Sequence, residues 1–323
     1  MKFIRPLVCA LFAGASIAMA APAAAAFPEK PVHIVIPYTA GAGTDVMFRQ
    51  VVPYLEKELG AKVVIDNRPG ASGNIGNEFV ARATPDGYTL LVNSINVLLS
   101  PMTQKDVRYS VERSFVPISR VVTTQMLMVS HVNTPFKTLP EFVRYTQANP
   151  NKLNFGASGV GTPPDLLAEI LRLRVPTPFV MVPYKGMSGA MADLVGGSVD
   201  FTFTSSVNIK QFIDSGKLRP VAVTGEKRST RYPEVPTFKE LGVDITPLDA
   251  GSWWGMFAPT GTPEPVVRSL SEALARALAN PELVQKLAEG GYTPTPDTPQ
   301  AYTAQLQRET EIWKQVVPSI SSR

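Results

Sequence analysis

Short apolar runs alternate along the chain with stretches whose apolar residues recur every three or four places. "VHIVIP" leads into a helical pattern at 44–59 and "KVVID" into one at 73–82. "YTLLV" follows, and "MLMVSH" then leads into 138–148. Further on, "LNFG" precedes 162–174, "FVMVPY" precedes 187–196, "VDFTFT" precedes 207–215, and "LRPVAVTG" follows. Strand then helix, repeated, predicts α/β units with mainly parallel sheets. More than eight strands fit two sheets better than one. The C-terminal stretch reads differently, because Thr262-Pro263, Asn280-Pro281 and Thr298-Pro299 each open a helix. Val267, Leu270, Leu274 and Leu278 form one core-facing stripe there, and Tyr302, Leu306 and Trp313 another.

Composition changes this picture little. The 323 residues suit roughly two domains, and 44% hydrophobic with 18% charged residues is an ordinary globular balance. The formal charge of +4 comes without a Lys/Arg cluster or an aromatic-basic stripe, so nucleic acid is not an expected partner. Residues 1–26 stand apart. Lys2 and Arg5 precede an apolar stretch from Pro6 to Met19, followed by "AMAAPAAAA". That is the layout of an export signal cleaved near Ala20 or Ala26, with a retained membrane anchor as the alternative. Cleavage removes two cations and no acid, which leaves +2, and it removes Cys9, the only cysteine. The expectation is a periplasmic protein whose core needs no disulfide.

Two glycine-rich turns carry the candidate chemistry. In "PYTAGAGTDV", Tyr38, Thr39, Ala40, Gly41, Ala42 and Gly43 lead from a strand into a helix that begins near Thr44 and Asp45. A helix start leaves backbone N–H groups without intrahelical partners and carries partial positive charge, so it holds an anion without a cationic side chain. Val46 stands where a dinucleotide fingerprint needs glycine, and no Gly-Lys-Ser/Thr follows, so nucleotide phosphate is disfavoured. In "LNFGASGVGTPPD", Ala157, Ser158, Gly159, Gly161 and Thr162 make a second small-residue turn before a helix. Val160 rules out a hydrolase elbow at Ser158. Two such mouths in two lobes predict a cleft for a small anion. Asp45 and Asp165 read first as acids stabilising their own helix starts. Tyr184 and Lys185 stand at another strand end, as do Asn93, Ser94, Thr204 and Ser205, where open α/β sheets place ligands. Tyr38, Tyr184 and Trp254 offer either a shelf for a ring or plain packing.

Catalytic and metal chemistry find little support. His33 and His131 pair with no histidine or cysteine at ligand spacing, so neither metal nor cofactor is expected, and no nucleophile-base spacing suggests an enzyme.

The ordered landmarks "PYTAGAGTD", "VIDNRPGASGNIG", "DGYTLL", "FVPISRVV", "NFGASGVGT", "VPYKGMSGAMADLVGGSVD", "GKLRPVAVTG", "PEVPTFKELG" and "WWGMFAPTGTP" run through the chain after residue 26. In these it resembles the Bug/TctC-type periplasmic substrate-binding proteins of tripartite tricarboxylate transporters. The resemblance implies a two-lobed type II binding-protein fold, or venus flytrap, that traps a di-, tri- or aromatic carboxylate. One ligand carboxylate would be held by amides and waters of the loops at 38–45 and 156–162. It further implies a monomer that delivers its ligand to membrane permease subunits, with a sensor subunit as the alternative role and a hydrolase or lyase as a lesser one. Lobe 1 is expected at 27–125 and 230–323, and lobe 2 at 126–229. Three places depart from the family pattern: Ala42 within the first loop, Pro163-Pro164-Asp165 where relatives often carry a polar residue and histidine, and "YSVERSF" before "VPIS".

Overall fold

The computed structural model describes residues 27–159, 162–184, 186–205, 209–249 and 251–321. The export signal with its cleavage sites, Gly161 and Lys185 therefore lie outside the described residues.

Two sheets divide the strands. The first contains β1 (Val32–Ile36), β2 (Val63–Asn67), β3 (Thr89–Ser94) and β4 (Phe115–Thr124). The second contains β5 (Met126–His131), β6 (Asn154–Ala157), β7 (Val180–Pro183), β8 (Phe201–Ser205) and β9 (Leu218–Val223). The chain then returns to the first sheet with β10 (Ser252–Pro259) and β11 (Thr293–Pro294). The orders are β11-β4-β10-β3-β1-β2 and β7-β6-β8-β5-β9. Helices cover both sheets, which gives the two-lobed α/β fold that the sequence predicts.

The sheets are mixed, not mainly parallel. β1 runs parallel to β2 and β3, and β6 runs parallel to β7 and β8. β10, however, is antiparallel to both β3 and β4, and β5 is antiparallel to both β8 and β9. The reason lies in the route of the chain. β4 and β5 form a nearly continuous strand with only Gln125 between them, and β10 brings the chain back, so neither β4 nor β10 follows the strand–helix alternation. Strands that carry the chain between lobes need no crossover helix, and an antiparallel pairing accepts them.

The two crossings lie side by side. Gln125 Nε2 donates to the carbonyls of Thr224 (2.9 Å) and Lys227 (2.8 Å), while Met126 N donates to Thr224 Oγ1 (2.9 Å). On the return, Gly251 adopts φ 87°, and a Cβ there would sit 2.1 Å from the Thr124 carbonyl oxygen. Only glycine permits that approach. Residues 230–249, which the sequence reading puts with the first lobe, are tied to the second sheet. Phe238 N donates to Val223 O (3.0 Å), Val223 N donates to Pro236 O (3.0 Å), and the Phe238 ring packs on Phe203 with centroids 6.1 Å apart.

Apolar side chains fill both lobes. Val32, Ile34 and Ile36 of β1 meet Met47, Phe48 and Val51 of the helix Gly43–Leu59, together with Leu270 and Leu274 of the helix Glu264–Leu278. Phe142, Phe155, Phe179 and Phe201 pack edge-on or tilted in the second lobe, with centroid separations of 4.9–6.2 Å. A fully buried ring of this kind stabilises by about 1.5–3 kcal/mol. These fillings hold rigid the strand ends from which both glycine-rich turns spring.

Candidate functional site

The first turn is built by its own backbone and one acid. Ala42 is the N-cap of helix 43–59, with φ −69° and ψ 160°, and it has no side-chain oxygen to cap with. Gly41, at φ 82°, lets the chain double back. Its N–H donates to Asp45 Oδ2 (2.8 Å), and the Ala42 N–H donates to Thr39 O (3.1 Å). The first helical bond runs from Val46 N to Ala42 O (2.9 Å). The N–H groups of Gly43, Thr44 and Asp45 thus precede the helical ladder, and for Gly43 and Thr44 no partner occurs among the described residues.

Asp45 serves this loop. Its side chain is almost wholly buried, and it accepts from Gly41 N, from Arg49 Nε (2.9 Å) and from Asn67 Nδ2 (3.0 Å). Asn67 Nδ2 also donates to Tyr38 O (3.1 Å), which closes the ring of contacts around residues 38–45. Burial pushes the Asp45 carboxyl up, but the hydrogen bonds from Arg49, Gly41 and Asn67 and the Arg49 charge outweigh it and hold it below the usual carboxylate value.

The aromatic residues beside the turn have their polar atoms committed. Tyr38 Oη donates to Asn93 Oδ1 (2.9 Å) and accepts from Asn96 Nδ2 (3.3 Å). Burial raises this phenol above its ordinary value, against the hydrogen bonds it makes. Asn93 Nδ2 passes the chain on to Asn77 Oδ1 (2.8 Å), and Asn77 Nδ2 to Tyr109 Oη (2.8 Å). Trp254 Nε1 donates to Thr44 Oγ1 (2.9 Å), and its ring stands edge-on to Tyr292 with centroids 5.5 Å apart.

The second turn joins β6 to the helix Pro163–Arg174. Thr162 is the N-cap, yet its hydroxyl turns back into the loop, donating to Gly159 O (2.8 Å) and lying 2.9 Å from Ser158 Oγ. The first two helical residues are prolines, which have no N–H. Leu166 N, bonded to Thr162 O (2.9 Å), is already in the ladder. Of the first helical turn, only Asp165 adds a backbone donor.

The first turn and the helix start that follows the second open onto one cleft of about 330 Å³. The first lobe lines it with Tyr38, Ala42, Gly43, Thr44, Ser94 and Asn96. Ser252 and Trp254 of β10 complete that side, and Pro163, Pro164 and Ser205 line it from the second lobe. Thr124 and Met126 form the seam where the chain crosses. Among these described lining residues there is no lysine, arginine, histidine or acid.

The structure therefore separates the predicted residues. Tyr38, Ala42, Gly43, Thr44, Ser94 and Ser205 meet at the cleft. Thr39, Ala40 and Gly41 are exposed on the first turn outside the lining, while Asn93, Asp45 and Thr204 are buried beneath it. Ala157, Ser158, Gly159 and Thr162 shape the second turn without lining the cleft. Tyr184 lies away from the lining, with Oη donating to Asp193 Oδ2 (2.6 Å), a bond that pushes its phenol up to about 12. Sequence reasoning missed Asn96, Thr124, Met126 and Ser252. It flagged Trp254 and the two prolines without assigning them to the site. The only signals were that Ser252 opens the strand carrying Trp254 and that Asn96 opens the helix just after Ser94.

No group of three His, Cys, Asp or Glu residues among the described residues is placed to hold a metal ion. No helix among them is long and apolar enough to cross a membrane.

Comparison with known proteins identifies the family. The family described as "Tripartite tricarboxylate transporter family receptor" matches residues 47–321. The chain therefore belongs to this family, whose members are solute-binding receptors and not enzymes. Protein BugT of Bordetella pertussis is 32% identical over 94% of this chain and 93% of its own length. The solved structure of the periplasmic binding protein BugD is 34% identical, with TM-score 0.70, covering 90% of this chain and 98% of that one. The structure of Rpa4515 of R. palustris with adipate is 29% identical, with TM-score 0.74, covering 91% of this chain and 98% of that one.

Proposed function

We propose that this protein is a periplasmic receptor that captures a small organic carboxylate between its lobes and delivers it to the membrane permease of a tripartite tricarboxylate-type transporter. The observation that carries the reading is the one cleft lined by the first glycine-rich turn and by the prolines that open the helix after the second, with the amides of Gly43 and Thr44, for which no partner occurs among the described residues, at its wall. A carboxylate at the start of helix 43–59 receives two charge-assisted hydrogen bonds and the favourable end of the helix dipole. Bridging waters extend the contact to the second turn at little cost. A ligand that touches both lobes favours the closed arrangement over the open one, and the closed surface is what a permease can recognise. Adipate in a relative of the same fold supports the ligand class. The leading 26 residues act as the export signal, and the mature protein works as a monomer.

The test is a thermal-shift panel of carboxylates, neutral sugars and cations on the purified protein. A carboxylate at 100 times its Kd is expected to stabilise by about 2.7 kcal/mol. Stabilisation by sugars or cations alone would rule the reading out.

A further inference from the structure

Beyond one carboxylate, the lining dictates what the rest of a ligand must be. The donors for an anion are concentrated at one place, the amides of Gly43 and Thr44 with the Thr44 hydroxyl. Across the cleft stand Pro163 and Pro164, which donate nothing. The rings nearby present carbon. Tyr38 Oη is taken by Asn93 and Asn96, and Trp254 Nε1 by Thr44, so neither polar atom is left to greet a second charged group. The Thr124 hydroxyl is likewise spent on Gly291 O (2.9 Å). Met126 adds a buried thioether. The other polar side chains among the described lining residues are neutral: the hydroxyls of Ser94, Ser205 and Ser252 and the amide of Asn96.

On the reading of the cleft as a carboxylate site, we infer that the preferred ligand is a monocarboxylate with an apolar body, a single ring or a short alkyl chain, and that dicarboxylates are disfavoured. Among the described lining residues a second carboxylate finds neither a cation nor a second fan of N–H groups to replace its water, and an uncompensated charge is expensive to bury. An apolar body instead gains from contact with the faces of Tyr38 and Trp254, the prolines and Met126. The cleft, at about 330 Å³, is at the small end for a ligand site, which suits one ring. The Thr44–Trp254 bond makes the arrangement specific, because it fixes the indole beside the anion-binding amides.

Titration calorimetry on the purified protein with two matched pairs tests this: benzoate against terephthalate, and hexanoate against adipate. Within each pair the far end carries hydrogen or methyl in one member and a second carboxylate in the other. Each monocarboxylate is expected to bind about tenfold or more tighter than its partner, as a site lacking a counter-charge demands. Equal or tighter binding of terephthalate and adipate would overturn the inference and leave the carboxylate reading standing. So would a failure of all four probes while another carboxylate of the panel binds. Failure of every carboxylate would instead remove the underlying reading as well. Ser205→Lys, at a half-buried strand end on the second lobe, supplies a cation at the described lining. In a variant shown to be folded by its melting curve, it is expected to narrow or reverse the preference, and an unchanged ratio would count against the inference.

Discussion

The two glycine-rich turns share a topology and differ in chemistry. Each springs from a strand of its sheet, passes through small residues, and enters a helix with a buried aspartate at the third helical position, Asp45 in one and Asp165 in the other. The first turn keeps its N–H groups: Gly43, Thr44 and Asp45 all carry one. The second gives up two of its three to Pro163 and Pro164. Thr162 also spends its hydroxyl on its own loop. Topology therefore places two helix starts at one cleft, but the sequence decides that the first grips and the second mainly shapes the wall. A helix N-terminus is an anion site only as far as its donors survive.

The most damaging change is to make the first turn like the second. Thr44→Pro removes an amide and a hydroxyl from the cleft, while proline is tolerated in a first helical turn. Losing hydrogen bonds to a charged ligand costs about 1.5–3 kcal/mol each, so affinity is expected to fall roughly 100-fold. Titration calorimetry with the bound acid measures this, and Thr44→Val, which keeps the amide, separates the hydroxyl's share. Unchanged affinity in Thr44→Pro would mean that the anion is held elsewhere.

Asp45 should matter less, and through the loop alone. Asp45→Asn weakens the ties to Gly41 and Arg49, so residues 38–44 lose their fixed shape and affinity falls by about tenfold, in keeping with one lost charge-assisted bond. The pH dependence has a definite sign. Because the folded carboxyl lies below its unfolded value of about 3.9, its stabilisation is complete well above that pH and is lost as pH falls through the lower folded value. Melting curves should show the wild type ahead of Asp45→Asn at pH 7, with the gap shrinking below about pH 4. A gap that persists under acid would show that the carboxylate charge is not what holds the turn.

Both turns were legible in the sequence because glycine, threonine and proline mark helix starts by local stereochemistry, which needs no tertiary information. The proline pair could even be seen there, although its meaning depended on learning that Pro163 and Pro164 face the cleft. Asp45 as a structural acid was also readable from its place in the first helical turn. The seam was not readable. Thr124, Met126 and Ser252 come together only because β4, β5 and β10 pass at the lobe junction, and the links β4 to β5 and β9 to β10, which have no helix between them, escape a pattern built on strand–helix alternation. That same blind spot made the sheets look mainly parallel. Tyr184 drew notice as an aromatic at a strand end, but a strand end identifies a ligand side only when its sheet position is known.

A gain of function offers a gentler probe of the contrast between the turns. Pro164→Ala returns one N–H to the second helix start, whose backbone is already helical there. One additional hydrogen bond to a carboxylate or its bridging water is worth about 0.5–1.5 kcal/mol, so affinity is expected to rise a few-fold. A drop in affinity would mean that the proline ring itself packs on the ligand, which would strengthen the case for an apolar body at that wall.

The smallest effect is expected at Tyr184, and its smallness is informative. β7 is the edge strand of its sheet, and Tyr184 follows it with its N–H bonded to Ala157 O (2.9 Å). The ring lies against the helix Met187–Gly196, where a Cβ added at Gly189 would meet Tyr184 Cδ1 at 3.1 Å. The hydroxyl is spent on Asp193. Tyr184→Phe removes that bond at a half-exposed position, so stability should fall by no more than about 1 kcal/mol, and the Kd for the bound acid should stay within about twofold of wild type. A tenfold loss of affinity would bring the phenol into contact with the ligand on closure, and the second lobe would then contribute a polar side chain that its helix start lacks.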